Sequence, residues 1–472
     1  MKLLKYLAYI AGTVLFAFSS GCVAYKPPPD IIHADSYTAE STKIQRVLPF
    51  AYKTLNVDDA ITIALANNPD YQRARLAMIK AWAAYYGSLN AFTPNIGVGF
   101  GGTQTGTYGI GGSPYYTQFN NGGSNTVGAT YNVFNGLQDT MNAMNQLATA
   151  RSKEYLNKNA RRILIQSVKI AYYNILNDKA TIQIQQSNEN FEQQQVNETQ
   201  LKYDAGASSL SDLLNFKVAR NNAQVDVINA KAKYASDKYV LAVLLGLTSA
   251  EIPDNINFPD ISTLKEDQGY TLGVDFYVNV AINQRPDLKS SRELVKAFKY
   301  ALYQTWGVFS PTASINWGYN YTGNTAHIPG TISTSAGNPN YTNAYGFSTA
   351  WTVWDGGGQS SRIMNVRKAQ AEYDSTQEDL LSAWMTIIKE VRDAYTKLTA
   401  SIATRKINGA TLSMSKDRRD LIRDEYNAGN TDIANLNQAQ NDLIKVEQSY
   451  VNSVIDVEKN KANLDAACGL RD

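Results

Sequence analysis

Arg285-Pro286-Asp287-Leu288 stands 217 residues after Asn68-Pro69-Asp70, and Phe309-Ser310-Pro311 stands the same distance after Phe92-Thr93-Pro94. Val133-Phe134-Asn135-Gly136 returns as Val353-Trp354-Asp355-Gly356 at an offset of 220. Tyr203-Asp204-Ala205-Gly206 returns as Tyr426-Asn427-Ala428-Gly429, and Leu245-Gly246-Leu247 as Cys468-Gly469-Leu470, both at 223. Five matches in one order, with two slips of three residues, mark an internal duplication. The repeats cover about residues 57–247 and 274–472, with a linker at 248–273.

Each copy is read the same way. A helical stretch comes first (about Val57 to Asn90, and Val274 to Gly307). Pro69 and Pro286 interrupt it, because proline fixes the first turn of a new helix. A pair of strands follows, at about 95–134 and 312–354. Ala313, Ile315, Trp317, Tyr319 and Tyr321 alternate with Ser314, Asn316, Gly318 and Asn320, the period of a strand with one apolar face. Tyr345, Phe347, Thr349, Trp351 and Val353 share a face of the return strand, as do Val127, Ala129, Tyr131 and Val133 in the first copy. The Gly- and Asn-rich segments Thr105–Asn125 and Gly323–Asn343 read as the intervening loops.

Proline-free helical stretches close each copy. Leu164, Val168, Ala171 and Ile175, and later Leu380, Trp384, Ile387, Val391, Ala394 and Leu398, step by four and three as in a coiled-coil seam. Gly206 and Gly429 break each stretch once and predict two helical hairpins, with tips at about 203–212 and 426–438. Arms of roughly 40 to 65 residues would reach on the order of 60–100 Å. Four strands cannot close a membrane barrel, since such barrels start at about eight. Three protomers would supply twelve strands and six hairpins.

Composition narrows the function classes. The 472 residues carry 44 Lys and Arg against 42 Asp and Glu, a net charge of +2 that argues against a nucleic-acid binder. Two histidines (His33, His327) and two cysteines (Cys22, Cys468) cannot build a Cys/His zinc centre, and no nucleophile, base and orienting group cluster along the chain. The expectation is therefore a non-enzyme without metal or cofactor. Asp355-Gly356-Gly357-Gly358 lacks the Lys-Ser/Thr of a phosphate-binding loop.

The N-terminus reads as an address. Lys2 and Lys5 precede the apolar run Tyr6–Phe18, which is too short to span a bilayer and suits a secretion signal. Ser19-Ser20-Gly21-Cys22 resembles the lipobox of bacterial lipoproteins, with Ser19 where leucine is usual. That resemblance implies a signal peptide over 1–21 and a diacylglycerol and N-acyl chain on Cys22, at the head of a 22–56 extension that includes the stiff spacer Pro27-Pro28-Pro29. From Val23 onward there is no run of 18 apolar residues, so any crossing of a membrane must use closed β-structure.

The duplicated strand pair and helical hairpin, with Arg285-Pro286-Asp287-Leu288, the two Tyr-x-Ala-Gly turns and Leu244-Leu245-Gly246-Leu247, resemble the TolC family of outer-membrane channel proteins, lipoprotein branch. The resemblance implies an α+β membrane protein. Three copies would form a 12-stranded β-barrel in the outer membrane of a Gram-negative cell, continuous with an α-helical barrel across the periplasm. It implies a passive exit duct for efflux or type I secretion, fed by an inner-membrane pump and a periplasmic adaptor. The family closes its tunnel near the tips with a tyrosine, an arginine and two acidic residues on the second hairpin. Here Tyr426 matches the tyrosine, Thr431 stands at the arginine, and Asn435 and Gln438 stand at the acidic pair; Asp212 matches an acidic position of the first hairpin.

The expected gate is therefore Tyr426, Asn435 and Gln438, with Asp212 and Asp432 as polar partners and Tyr203, Gly206 and Gly429 shaping the turns. The bland reading makes all of these solvated turn residues. Residues Thr181–Gln200, of which ten are Asn or Gln, read equally as a hydrated tunnel wall or as an outer helix face. The rival reading of the whole chain is a structural or adhesive coiled-coil lipoprotein without a pore. It gives no reason for two aromatic strand pairs at matching places.

Overall fold

The computed structural model describes residues 53–108, 117–264, 272–327, 334–336 and 340–470. The signal peptide, Cys22 and most of the 22–56 extension lie outside the described residues. Helices α1 (Val57–Asn67) and α2 (Pro69–Ser88) lead through a 3₁₀ turn into strands β1 (Asn95–Tyr108) and β2 (Thr117–Asn135). Helices α3 (Gln138–Asp204) and α4 (Leu210–Leu244) form the first hairpin. The second copy repeats the order: α5 (Val274–Gln284), α6 (Pro286–Trp306), β3 (Thr312–His327), a short β4 (Thr334–Ala336), β5 (Asn340–Ala350), α7 (Gly357–Asn427) and α8 (Ile433–Cys468).

The prolines act where the sequence places them. Asn68 is extended (ψ 124°), as a residue before proline must be, and its Oδ1 accepts from the backbone of Asp70 and Tyr71 at 3.0 Å, capping α2. Its Nδ2 donates to the Leu244 carbonyl at 3.0 Å. Arg285 repeats the geometry with a charged side chain. It is 3% exposed, its Nη1 donates to the Ala467 carbonyl (3.3 Å) and to Glu390 (2.5 Å), and its Nε donates to Asp287 (3.0 Å). In each copy the break between the short helices is thus tied to the end of that copy's own returning helix. Gly246 (φ +70°) and Gly469 (φ +69°) end those helices in the left-handed region.

The sheet is antiparallel throughout, ordered β1-β2-β3-β5, with β4 pairing the far end of β3. One row of the register is Val98, Val127, Tyr319 and Asn343; the next is Gly97, Gly128, Gly318 and Ala344. Because side chains alternate, the aromatic residues named above fall on one face and Gly, Asn, Ser and Thr on the other. Much of what the sequence marks as loop is strand: β1 runs to Tyr108, β2 begins at Thr117 and β3 runs to His327. Main-chain pairing with a neighbouring strand overrides the weak strand preference of Gly and Asn. At the other end β5 stops at Ala350, opposite Thr312 where β3 begins, so Trp351–Trp354 have no residues of β3 to pair with and are not strand.

The hairpin arms are unequal. The outgoing helices have 67 and 71 residues, roughly 100 Å each, and the returning ones 35 and 36. The first part of α3 packs on α6, through Asn145 to the Ala297 carbonyl (2.7 Å) and Ser152 to Ser290 (2.8 Å), and only its second part meets α4. Leu164, Val168, Ala171 and Ile175 are buried, and so are Ile387, Val391, Ala394 and Leu398; Trp384 of the same series remains 37% exposed. The stretch after the first copy is built into the body, with Ile252, Ile256 and Phe258 in the core beside Leu55, Tyr172 and Leu241. Among the described residues no helix is long and apolar enough to cross a membrane.

Candidate gate at the hairpin tips

Both tips are made by glycine. Gly206 (φ +75°) and Gly429 (φ +77°) accept a conformation that a side chain resists, and nothing would crowd a Cβ at either. The helices that leave the tips are capped by side chains of the turns themselves. Ser209 and Asp212 form a reciprocal capping box, Asp212 N to Ser209 Oγ at 3.1 Å and Ser209 N to Asp212 Oδ2 at 3.4 Å. Asp432 caps α8 by accepting from Asn435 N at 2.9 Å. The two acidic members of the expected gate therefore have structural work in their own turns.

Tyr426 sits at the junction of the two hairpins. It packs on a cluster of Phe191, Val196, Leu213, Phe216 and Leu436, with its ring 6.3 Å from that of Phe216. Lys202 Nζ lies 5.2 Å above its ring, and its hydroxyl bonds to Thr199. Burial, and then the nearby Asp212 carboxylate, push its phenol above the usual tyrosine range. Asn435 and Gln438 are exposed on one face of α8; Asn435 bonds back to Thr431 of the turn (3.1 Å) and Gln438 along the helix to Asp442 (2.7 Å). Tyr203 is exposed on the first tip. The structure thus brings Tyr426 and Asp212 together across the hairpins and leaves the two carboxamides facing outward from the protomer.

Sequence reasoning missed the seam beneath them. Asn188, Glu192, Gln195 and Thr199 step along α3 by four, three and four, and all are buried. This part of the Asn- and Gln-rich stretch is neither tunnel wall nor outer face; it packs within the protomer. The amides run as rungs between α3 and α8: Gln166 to Asn463 (2.9 Å), Gln448 to Thr181 (3.0 Å) and Gln440 to Asn188 (2.9 Å). Glu192 has one oxygen buried without a partner, and burial pushes its carboxyl up to about 7. The signal was the coiled-coil spacing itself, hidden because polar residues fill it.

No cluster of His, Cys, Asp or Glu able to hold a metal occurs among the described residues. Cys468 is fully buried, and burial raises its thiol to about 12, which makes it a packing residue.

A long helical hairpin pair joined to a small sheet with an exposed aromatic face defines a class of envelope channel subunits, and comparison with known proteins agrees. The chain matches the outer membrane efflux protein family over residues 60–247 and 277–470, and it belongs to that family. It is 21% identical over 382 residues to outer membrane protein TolC of Escherichia coli K12, covering 73% of each chain. Among solved structures it resembles the Campylobacter jejuni CmeC outer membrane channel (TM-score 0.73, 15% identity, 94% of both chains). It also resembles the outer membrane protein VceC of Vibrio cholerae (TM-score 0.72, 16% identity, 88% of this chain and 96% of that one). The protein is an outer-membrane efflux channel and not an enzyme.

Proposed function

We propose that three copies of this chain assemble into a duct: a twelve-stranded barrel in the outer membrane, joined to a tunnel of helical hairpins in the periplasm. A periplasmic adaptor and an inner-membrane pump would dock at the tips and hand cargo over for passive export. The observation that carries this reading is the unfinished sheet. β1 and β5, of 14 and 11 residues, are edge strands with unpaired ladders, and every residue of β5 is exposed. Phe100, Tyr345 and Phe347 are 81%, 78% and 69% exposed on one face. Lipid covers such a face, and pairing β5 of one copy with β1 of the next closes the edges.

Within the duct, Tyr426, Asn435 and Gln438 form the gate, with Asp212 and Asp432 holding the turns that aim them. Threefold symmetry turns each carboxamide into a ring able to hydrogen-bond to itself when closed, without the mutual repulsion of a carboxylate ring. Cys22 carries the lipid chains that moor the N-terminus to the membrane. The test is single-channel conductance of the detergent-extracted protein together with cysteines at positions 435 and 438. A trimer whose openings disappear on cross-linking between protomers, and return on reduction, supports the gate. Cysteines that never cross-link in closed channels place it elsewhere, and a monomeric, non-conducting rod refutes the duct. Cys22→Ala is expected to yield protein that lacks acyl chains by mass; an unchanged mass would refute the anchor.

A further inference from the structure

Charged side chains are missing from one part of this protein. From Ala81 to Gln138, and again from Tyr300 to Trp354, there is no Asp, Glu, Lys or Arg, although such residues make up 18% of the chain. These two blocks contain all the strands among the described residues. On an aromatic, lipid-facing surface the absence is what the bilayer demands. The opposite face of the sheet is under no such demand, since the interior of an outer-membrane barrel is wet and commonly polar. Here that face is built from glycine, hydroxyls and carboxamides. One row across it is Gly99, Thr126, Asn320 and Thr342, and at its lower end Ser314 and Ser348 hydrogen-bond to each other at 2.8 Å.

We propose that the exit barrel is electrically silent, so that this part of the duct does not sort cargo by sign of charge and passes anionic, cationic and uncharged polar solutes alike. This rests on the trimeric duct described above. Hydroxyls and carboxamides both donate and accept hydrogen bonds, so they solvate a cation, an anion or a neutral polar group with no fixed preference. A ring of carboxylates or ammonium groups would bias ions out to about 10 Å at 0.1 M salt, and the barrel has neither. The gate positions Asn435 and Gln438 are carboxamides as well; the acidic groups beside them, Asp212 and Asp432, belong to the tips and not to the barrel, and both cap their own helices. A hydrated metal cation would find no carboxylate in the barrel to exchange for its water, which sets this exit apart from one specialised for cations.

The reversal potential of single openings under a tenfold KCl gradient in planar bilayers tests this, with full-length wild type measured beside Asn320→Asp and Asn320→Lys. Wild type is expected to show a K⁺ to Cl⁻ permeability ratio that favours K⁺ only weakly, because the barrel adds no fixed charge and the acidic Asp212 and Asp432 of the tips are bound up in capping their helices. Asn320→Asp, nearly the same shape, is expected to raise the ratio several-fold, and Asn320→Lys to move it below wild type. A wild type that is already strongly selective overturns the proposal. So do conducting variants that keep the wild-type ratio, because the polar face would then not line the pore. A wild type that never opens refutes the duct itself, a result distinct from either.

Discussion

Replacing Glu192 by glutamine tests whether the seam between the two hairpins is dry. Glu192 is 5% exposed on α3, with Asn188 and Gln195 on the same buried face, and its Oε2 has no hydrogen-bond partner. Burial raises its carboxyl from 4.5 to about 7. The folded state therefore holds the proton more tightly than the unfolded chain does. The resulting stability is fully present below pH 4.5, falls as the pH rises between 4.5 and 7, and is gone above. The span corresponds to roughly 3 kcal/mol, and any water that enters the seam reduces it. Glu192→Gln keeps the shape and removes the ionisation. Variant and wild type should have similar stability at pH 4, and the variant should exceed wild type at pH 8.5 by up to about 3 kcal/mol. Urea unfolding of the detergent-solubilised protein, followed by its helical signal across this pH range, reads the difference directly. Parallel pH curves would show that water solvates the carboxylate and the seam is not dry, and a variant less stable at pH 8.5 would show that the carboxylate has found a cation. Arg419, whose guanidinium lies 5.6 Å above the neighbouring Phe191 ring, would then be the first suspect.

Two further perturbations follow from the joints. Arg285→Ala removes the buried guanidinium from Asp287, which keeps Arg162 at 3.6 Å, and from the exposed Glu390, and should cost about 1.5–3 kcal/mol in unfolding experiments, with Arg285→Lys restoring only part, since lysine cannot make the forked bonds. Burial would push the Asp287 carboxyl up, but its bonds to Arg285 hold it below the usual aspartate range. Wild type should therefore lose stability as the pH falls through that range, and Arg285→Ala should lose less; an equal acid response would refute the pairing. Gly246→Ala should cost about 3 kcal/mol or more, because its φ is +70° and a Cβ would lie 2.5 Å from the Asn67 carbonyl. Gly206→Ala, equally left-handed but in open space, should cost only about 1 kcal/mol; thermal melts of the pair that coincide would contradict the packing at Gly246.

The duplication, the proline-started helices, the strand periodicity and the glycine tips were legible because each is a local pattern with a local cause. Pro69 and Pro286 restrict the residue before them whatever surrounds the chain, and Ile315, Trp317 and Tyr319 alternate because a strand does. What escaped was tertiary. Glycine and asparagine in 105–125 signal a loop, yet most of that segment is paired strand, because a neighbouring strand supplies the hydrogen bonds its composition does not favour. Trp351 and Val353 alternate as a strand should, but β3 does not extend far enough to pair with them. Glu192 looks like any surface glutamate until α8 is laid against it. Among the gate residues, the roles of Asp212 and Asp432 as caps follow from Ser209-x-x-Asp212 and from an acidic residue placed before a helix, so those were readable. The position of Tyr426 between hairpins was not, because its partners Phe191 and Phe216 lie more than two hundred residues away in sequence.

The two copies differ where their frames allow it. The returning helices match in length (35 and 36 residues), and both joints bind the carbonyl just before a left-handed glycine, through Asn68 to Leu244 and Arg285 to Ala467. The outgoing helices do not match: Gly136 to Tyr203 spans 67 residues and Gly356 to Tyr426 spans 70. The three extra residues fall between the strand-to-helix junction and the tip, in a coiled-coil helix that contains no proline. Three residues rotate a helix by about 300°, which leaves it some 60° short of its original face and overwinds the seam locally. The outgoing helices of the two copies therefore differ in register between junction and tip, although both are built from one repeated pattern. Tyr426 turns inward onto Phe216 while its counterpart Tyr203 is exposed on the single protomer, so the two tips of one protomer are inequivalent although their turns match.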